Sequence, residues 1–298
     1  MRNEDFRKYY EIYKETLGEG WVGIVYKVKN KMTNEKRAIK IININKIRNI
    51  FKKLNLRDAN DTDIKPFIDD FIKETENMKI LEGENEENKN TVKYYESFKT
   101  EKEFSIVMEL CDDNLMDFLI KKKSAFNSME IYDILNQLNN TFKLMVEKKL
   151  VHRDLKLENI LVKYENKEKT KFILKLTDYE VTKKLNTFTE KFSDRVGTLK
   201  YMAPEILKGN QYGRECDLWS LGVIIYTLFF KEFPFDGETD NILIEQINLN
   251  DDNQNIKKTG NKNLDDLIRR LLVIDPLKRM TWKQYFNHPF FKNQKYIS

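Results

Sequence analysis

Three glycines mark the first place where this sequence could do chemistry. Gly18-Glu19-Gly20-Trp21-Val22-Gly23-Ile24-Val25 has the spacing G-x-G-x-x-G-x-V. Without a Cβ, the backbone at such positions comes close enough to bond phosphate oxygens. A dinucleotide-binding turn shares the spacing, but there a helix starts at the glycines and aims its N-terminus at the pyrophosphate. Here the β-formers Ile24-Val25-Tyr26-Lys27-Val28 follow instead. The glycines therefore fall in a hairpin, one that folds over phosphates or is simply glycine-rich. Fifteen residues after Val25, Lys40 stands in Ala38-Ile39-Lys40. A lysine in an apolar strand needs its charge met. Phosphate with a carboxylate would meet it; an edge position in water is the alternative.

These residues must be held by strands. Residues 13–17, 24–28 and 37–42 alternate or cluster β-formers around turn residues, and 92–98 and 104–110 read as two more strands. Residues 43–63 are Asn/Lys-rich and predict a loop with a short helix. From Lys65 to Leu81, Phe67, Ile68, Phe71, Ile72, Met78 and Leu81 fall near a 3.6-residue period. Polar residues 82–90 predict a loop. After Leu110 the pattern turns helical, at 115–122, 128–149, 215–230 and 264–274, with strands only at 160–162 and 173–176. This predicts an α+β chain with a lobe boundary near 109–113: residues 1–110 form a strand-rich unit with one main helix, and 111–298 a mainly helical one. Residues 163–171 and 248–255 read as solvated insertions.

The 298 residues suffice for two lobes, each with its own core. With 40% hydrophobic and 34% charged residues, the composition is that of a folded globular chain. A formal net charge of +5, interspersed, argues for neither a nucleic-acid nor a membrane partner. Cys111 and Cys216 imply no disulfide framework and no metal-ligand spacing, which predicts a reduced, cytoplasmic setting, the nucleus not excluded. Met1 to Tyr10 is charged and lacks an apolar run, so no secretory signal is expected there. The longest apolar stretch, Leu221 to Phe230, is too short to span a bilayer and reads as a helix buried on all sides.

Val151-His152-Arg153-Asp154-Leu155-Lys156-Leu157-Glu158-Asn159-Ile160-Leu161 matches the H-R-D-L-x-x-x-N catalytic loop at every specified position. Asp178-Tyr179-Glu180 and Ala203-Pro204-Glu205 follow in order. The chain thus resembles the eukaryotic protein kinases from about Tyr13 to Phe291. The resemblance implies the bilobal kinase fold, a small antiparallel sheet lobe with one main helix and a larger helical lobe. It implies transfer of the ATP γ-phosphoryl to serine and threonine hydroxyls of protein substrates. By that comparison Asp154 is the catalytic base and Lys156 contacts the transferred phosphoryl. Asn159 and Asp178 hold Mg2+, a hard ion suited to oxygen ligands. Lys40 holds the α- and β-phosphates and pairs with a helix glutamate, Glu74 in preference to Glu76, because Met78 then falls four residues on. Gly18, Gly20 and Gly23 cover the phosphates. Leu17, Val25 and Ala38 roof the adenine and Leu161 floors it, with Met108 as gatekeeper and the backbone of Glu109 and Cys111 on the adenine edge. Core packing is the other use of these apolar residues.

Serine/threonine specificity rests on Lys156 and on Gly197-Thr198-Leu199-Lys200-Tyr201-Met202-Ala203-Pro204-Glu205, where Thr198 would bridge Asp154 and Lys156. Arg279 would pair with Glu205. Residues 222–227, Pro234-Phe235 and His288-Pro289-Phe290-Phe291 look most like the calcium/calmodulin-dependent-type kinases. Glu158 could favour a basic substrate residue, but Thr227 stands where strongly basophilic relatives carry glutamate. Two departures from the family pattern remain. Glu180 replaces a glycine, which predicts restricted flipping of the segment or some strain. Asp194 stands four residues before Thr198, at the usual phosphosite, where its carboxylate could pair with Arg153; a surface aspartate with no role is the alternative. Ser193, Thr187 and Thr189 are further candidate phosphosites.

Overall fold

The structure, a computed structural model, describes residues 1–20, 23–53, 60–83, 88–249 and 256–292. Trp21 and Val22 of the glycine-rich turn lie outside them, as do parts of the expected loops at 43–63, 82–90 and 248–255. Two compact units divide the chain, residues 1–112 and 113–298.

The first unit is built on a five-stranded antiparallel sheet. Its strands are β1 (Tyr10–Glu19), β2 (Gly23–Asn30), β3 (Lys36–Asn43), β4 (Tyr94–Lys99) and β5 (Glu103–Met108), in the order β1-β2-β3-β5-β4. Between β3 and β4 come α1 (Ile44–Lys53) and α2 (Asp61–Glu82). Strand β3 is buried from Ala38 to Ile42. Ile39 and Ile41 enter a core with Val28, Phe98 and Val107; the two-residue period of a strand sends Lys40 to the opposite face. On α2, Phe71, Glu74, Met78 and Leu81 lie within one buried stripe. The Asn60–Asp63 capping box starts that helix.

Two local features go beyond the sequence pattern. The charged N-terminus buries Phe6 and Tyr10 in the sheet core. Arg2 bonds the edge of β4 that faces away from β5, its N–H to Ser97 O and its carbonyl to the Lys99 N–H, each at 2.8 Å. Arg7 pairs with Glu103. The apolar residues are too sparse to make a run, yet they land where the sheet has a face to cover. The short helix expected within 43–63 is Ile44–Lys53, started by the Asn43 carboxamide, which accepts from Asn45 N and Lys46 N.

The second unit holds α3 (Leu115–Lys121), α4 (Ser128–Glu147), α5 (Pro204–Leu207), α6 (Glu215–Phe230), α7 (Asp240–Asn248), α8 (Lys262–Leu271) and α9 (Trp282–Phe286). Its short strands are β6 (Asp113–Asn114), β7 (Leu150–Val151), β8 (Ile160–Tyr164), β9 (Phe172–Leu176) and β10 (Lys183–Lys184). They form the sheets β6-β8-β9 and β10-β7. Helix α6 is buried on every side from Cys216 to Leu228. A Cβ at Gly222 would lie 2.9 Å from the Leu271 Cβ, so the glycine lets α6 approach α8. The two-residue strands, α7 and α9 are too short for their periodicity to show in the sequence. Residues 163–171 close the β8–β9 hairpin, with Asn166 accepting from Thr170 N and Lys171 N. Among the described residues no helix is long and apolar enough to cross a membrane.

Candidate active site

The loop after β7 is positioned by one buried carboxylate. Asp217, in the first turn of α6, accepts from the His152 and Arg153 N–H groups, each at 2.8 Å. Burial pushes its carboxyl up from the ordinary range, and these N–H bonds work against the shift. They hold Arg153 at φ 68°, in the left-handed region that few residues other than glycine adopt. The His152 Nδ1 accepts from Asp154 N at 3.4 Å, so its Nε2–H donates to Thr177 O at 3.1 Å.

Asp154 is ringed by donors. Thr198 Oγ donates to Asp154 Oδ1 at 2.8 Å, and Lys156 Nζ lies 2.8 Å from Oδ2. Lys156 also donates to Thr198 Oγ at 2.9 Å, closing a triangle. Asn159 Nδ2 donates to Asp154 O at 3.0 Å. Gly197 makes this approach feasible: its φ is +110°, and a Cβ there would sit 2.7 Å from Arg153 O.

Asp178 follows β9 at φ 63°, a conformation that aspartate tolerates better than most residues. Tyr179 is fully buried, its ring 5.5 Å from that of His152. Its hydroxyl donates to Leu176 O at 2.9 Å, so the extra oxygen carries no desolvation cost. Glu180 is not among the residues with positive φ. The expected strain at that position is therefore absent from this conformation.

Arg153 holds residues 178–205, the segment that the resemblance makes the activation segment. Its side chain is 2% exposed and its Nη1 lies 2.8 Å from Asp194 Oδ2, with Lys183 Nζ 3.0 Å from the same oxygen. Burial alone would raise the Asp194 carboxyl; the hydrogen bonds from Arg153 and Lys183 outweigh it and hold the group below the usual carboxylate range.

In the first unit, Lys40 Nζ donates to both carboxylate oxygens of Glu74, each at 2.9 Å, while Glu76 is exposed. Lys40 pairs in register with Val25 and Ile106, and Ala38 with Met108. Gly20 N donates to Gly23 O at 2.8 Å and closes the β1–β2 hairpin. Glu109 N donates to Lys93 O at 2.9 Å.

A protein kinase domain matches residues 11–291. The chain belongs to the protein kinase family. Among curated relatives, this kinase domain is 30% identical over 294 residues to calcium-dependent protein kinase 3 of Plasmodium berghei (strain Anka), covering 98% of this chain and 48% of that protein. It is 32% identical over 296 residues to calcium-dependent protein kinase 29 of Arabidopsis thaliana, covering 98% and 50%. Serine/threonine-protein kinase 33 of Bos taurus is 29% identical over 288 residues, covering 93% and 54%. The chain spans about half the length of these relatives.

Within the kinase domain's second unit, hydrogen bonds and ion pairs gather Arg153, Asp154, Lys156, Asn159, Asp194 and Thr198. Ser193 is exposed beside them, and Leu161 sits on β8 opposite Lys175. In the first unit, Lys40 and Glu74 meet, Leu17 and the glycines lie on the hairpin, and Cys111 is partly exposed. Sequence reasoning passed over Lys183, Phe192 and Tyr212. They lie in segments without periodicity, and only the chain's return brings them to Arg153. Glu205 and Arg279 form the expected pair at 2.8 and 2.9 Å, with Arg279 also donating to Val273 O at 2.9 Å.

Proposed function

We propose that the chain transfers the γ-phosphoryl of ATP to serine and threonine hydroxyls of protein substrates, and does so without a phosphate on its activation segment. The observation that carries this reading is the Asp154–Lys156–Thr198 triangle. A carboxylate able to take a hydroxyl proton stands next to a cation able to follow the phosphoryl charge, and a threonine fixes both.

Bound together, ATP and Mg2+ supply the phosphoryl group and neutralise part of its charge. Asn159 and Asp178 fit the metal: the Asn159 Nδ2 is committed to Asp154, which makes the amide oxygen its ligand end, and Asp178 adds carboxylate oxygens. Mg2+ takes one or two protein ligands together with phosphate oxygens and water. Lys40, fixed by Glu74, binds the α- and β-phosphates; the hairpin glycines cover them. The resemblance gives base contacts to Leu17, Val25, Ala38, Met108 and the backbone of Glu109 and Cys111 in the first unit, and to Leu161 in the second. Asp154 accepts the substrate proton as the hydroxyl oxygen bonds phosphorus and the bond to the β-phosphate oxygen breaks, leaving ADP. Lys156 offsets the developing charge.

Asp194 does the work of a phosphate on Arg153, at lower charge. Glu158 contributes to substrate choice; it accepts from Tyr201 OH at 3.2 Å, so part of its acceptor capacity is already engaged. Purified protein incubated with ATP and Mg2+ should yield phosphoserine or phosphothreonine and no phosphotyrosine, and Asp154→Asn should yield neither. Magnesium-independent nucleotide binding without turnover would point instead to a binding module.

A further inference from the structure

Arg153, immediately before the proposed base, is a buried cation whose guanidinium, among the described residues, bonds the chain that follows β9. Its Nε donates to Val181 O at 2.7 Å, and Nη1 donates both to Asp194 Oδ2 at 2.8 Å and to Tyr212 OH at 3.1 Å. The guanidinium carbon lies 5.0 Å from the Phe192 ring centre. Tyr212 sits between α5 and α6 and is itself buried. Its backbone exchanges two hydrogen bonds with Phe192, at 2.8 and 3.0 Å, and the two rings are 5.5 Å apart. Its hydroxyl donates to the main-chain carbonyl of Asp194 at 2.8 Å.

We propose that Tyr212 is a positioning residue that ties Arg153 and the backbone of residue 194 together, independently of the Asp194 side chain and of any phosphate. The hydroxyl sits between the guanidinium, from which it accepts, and the carbonyl, to which it donates. A neutral phenol fills both roles at once, whereas a carboxylate could accept from the guanidinium but has no proton to give the carbonyl. Asp194 therefore reaches Arg153 twice: by its own charge, and by its main chain through Tyr212. Burial pushes the Tyr212 hydroxyl up to about 12, so it keeps its proton at working pH. A buried guanidinium deprived of one acceptor is free to seek another, and Arg153 is joined through one peptide bond to Asp154.

This inference rests on the kinase reading for its kinetic test, but not for its structural one. The experiment compares the full chain with Tyr212→Phe, Tyr212→Leu, Asp194→Ala and the Tyr212→Phe/Asp194→Ala double variant. Tyr212→Phe keeps the ring on Phe192 and removes only the hydroxyl. It should lower kcat on the order of 10-fold, the scale of one hydrogen bond to a charged group, with KM for ATP unchanged. The double variant should lose more than the product of the single losses, because each tie backs up the other. Amide hydrogen exchange should accelerate across residues 192–195 in Tyr212→Phe. If only the ring matters, Tyr212→Phe will match wild type while Tyr212→Leu fails, and the proposal falls. If wild type shows no turnover, the kinase reading fails, and exchange alone decides: unchanged protection at 192–195 in Tyr212→Phe overturns the role for Tyr212, and faster exchange upholds it.

Discussion

The Thr198 hydroxyl donates to Asp154 Oδ1 at 2.8 Å, joining the activation segment to the proposed base across 44 residues of sequence. The same oxygen accepts from Lys156 Nζ at 2.9 Å. Thr198→Val preserves shape and removes both bonds. It should reduce kcat by roughly 10–100-fold, since it frees both Asp154 and Lys156 from fixed geometry. Thr198→Ser should retain most of the activity. Steady-state kinetics with one peptide substrate separates the two; equal losses would assign the methyl group, not the hydroxyl, the main role.

The Lys40–Glu74 pair divides two glutamates that are two residues apart. Glu74→Gln leaves a buried ammonium facing a neutral amide, and Glu76→Gln alters an exposed surface. Breaking a buried pair costs about 3–5 kcal/mol when one charge is stranded, and an exposed change costs about 0.5 kcal/mol or less. Urea denaturation of both variants should rank them in that order, and weakened ATP binding should accompany only Glu74→Gln.

Arg279 and Glu205 supply a matching test in the second unit. The pair is bidentate and almost fully buried. Arg279→Met strands the Glu205 carboxylate and should cost about 3–5 kcal/mol. Replacing both by apolar residues should recover much of the loss. Thermal melts of the single and double variants check the ordering.

Helix phase explains what could be read in advance here. Glu74 shares the stripe of Phe71, Met78 and Leu81, while Glu76 points away, so the choice between them was already written in the 3.6-residue period. The catalytic loop was legible because its chemistry lies in eight adjacent residues. The Arg153 environment was not. Phe192 and Tyr212 meet by a chain reversal that leaves no local pattern, and Lys183 is one lysine among many. The N-terminal strap escaped for a related reason. Phe6 and Tyr10 stand among charges, and only the sheet's uncovered face makes them core residues.

A pH effect should arise at the end of the second unit. His288 Nδ1 accepts from Phe290 N at 3.2 Å, so the neutral ring donates from Nε2 to Asp266 Oδ2 at 3.0 Å. Burial holds the imidazole below its ordinary value of 6.5, and the Asp266 bond offsets only part of this. The unfolded chain then binds the proton more readily than the folded one. Stability is full above the unfolded value of 6.5 and falls as pH drops through it, until the folded value is passed. Urea midpoints should therefore decline between about pH 7.5 and 5.5. His288→Asn, which can still cap the turn, should flatten that decline; an equal decline in the variant would place the effect elsewhere.

The most direct test of the whole account is the initial rate of phosphoryl transfer by protein shown by mass spectrometry to carry no phosphate. With ATP, Mg2+ and a serine/threonine peptide library, wild type should turn over from the first time point without a lag, and Asp194→Ala should be slower but active. Asp154→Asn should lose activity by on the order of 100-fold or more, the loss expected on removal of a general base. A lag that disappears as phosphate accumulates on the activation segment would contradict the role given to Asp194, and turnover unaffected by Asp154→Asn would contradict the proposed site.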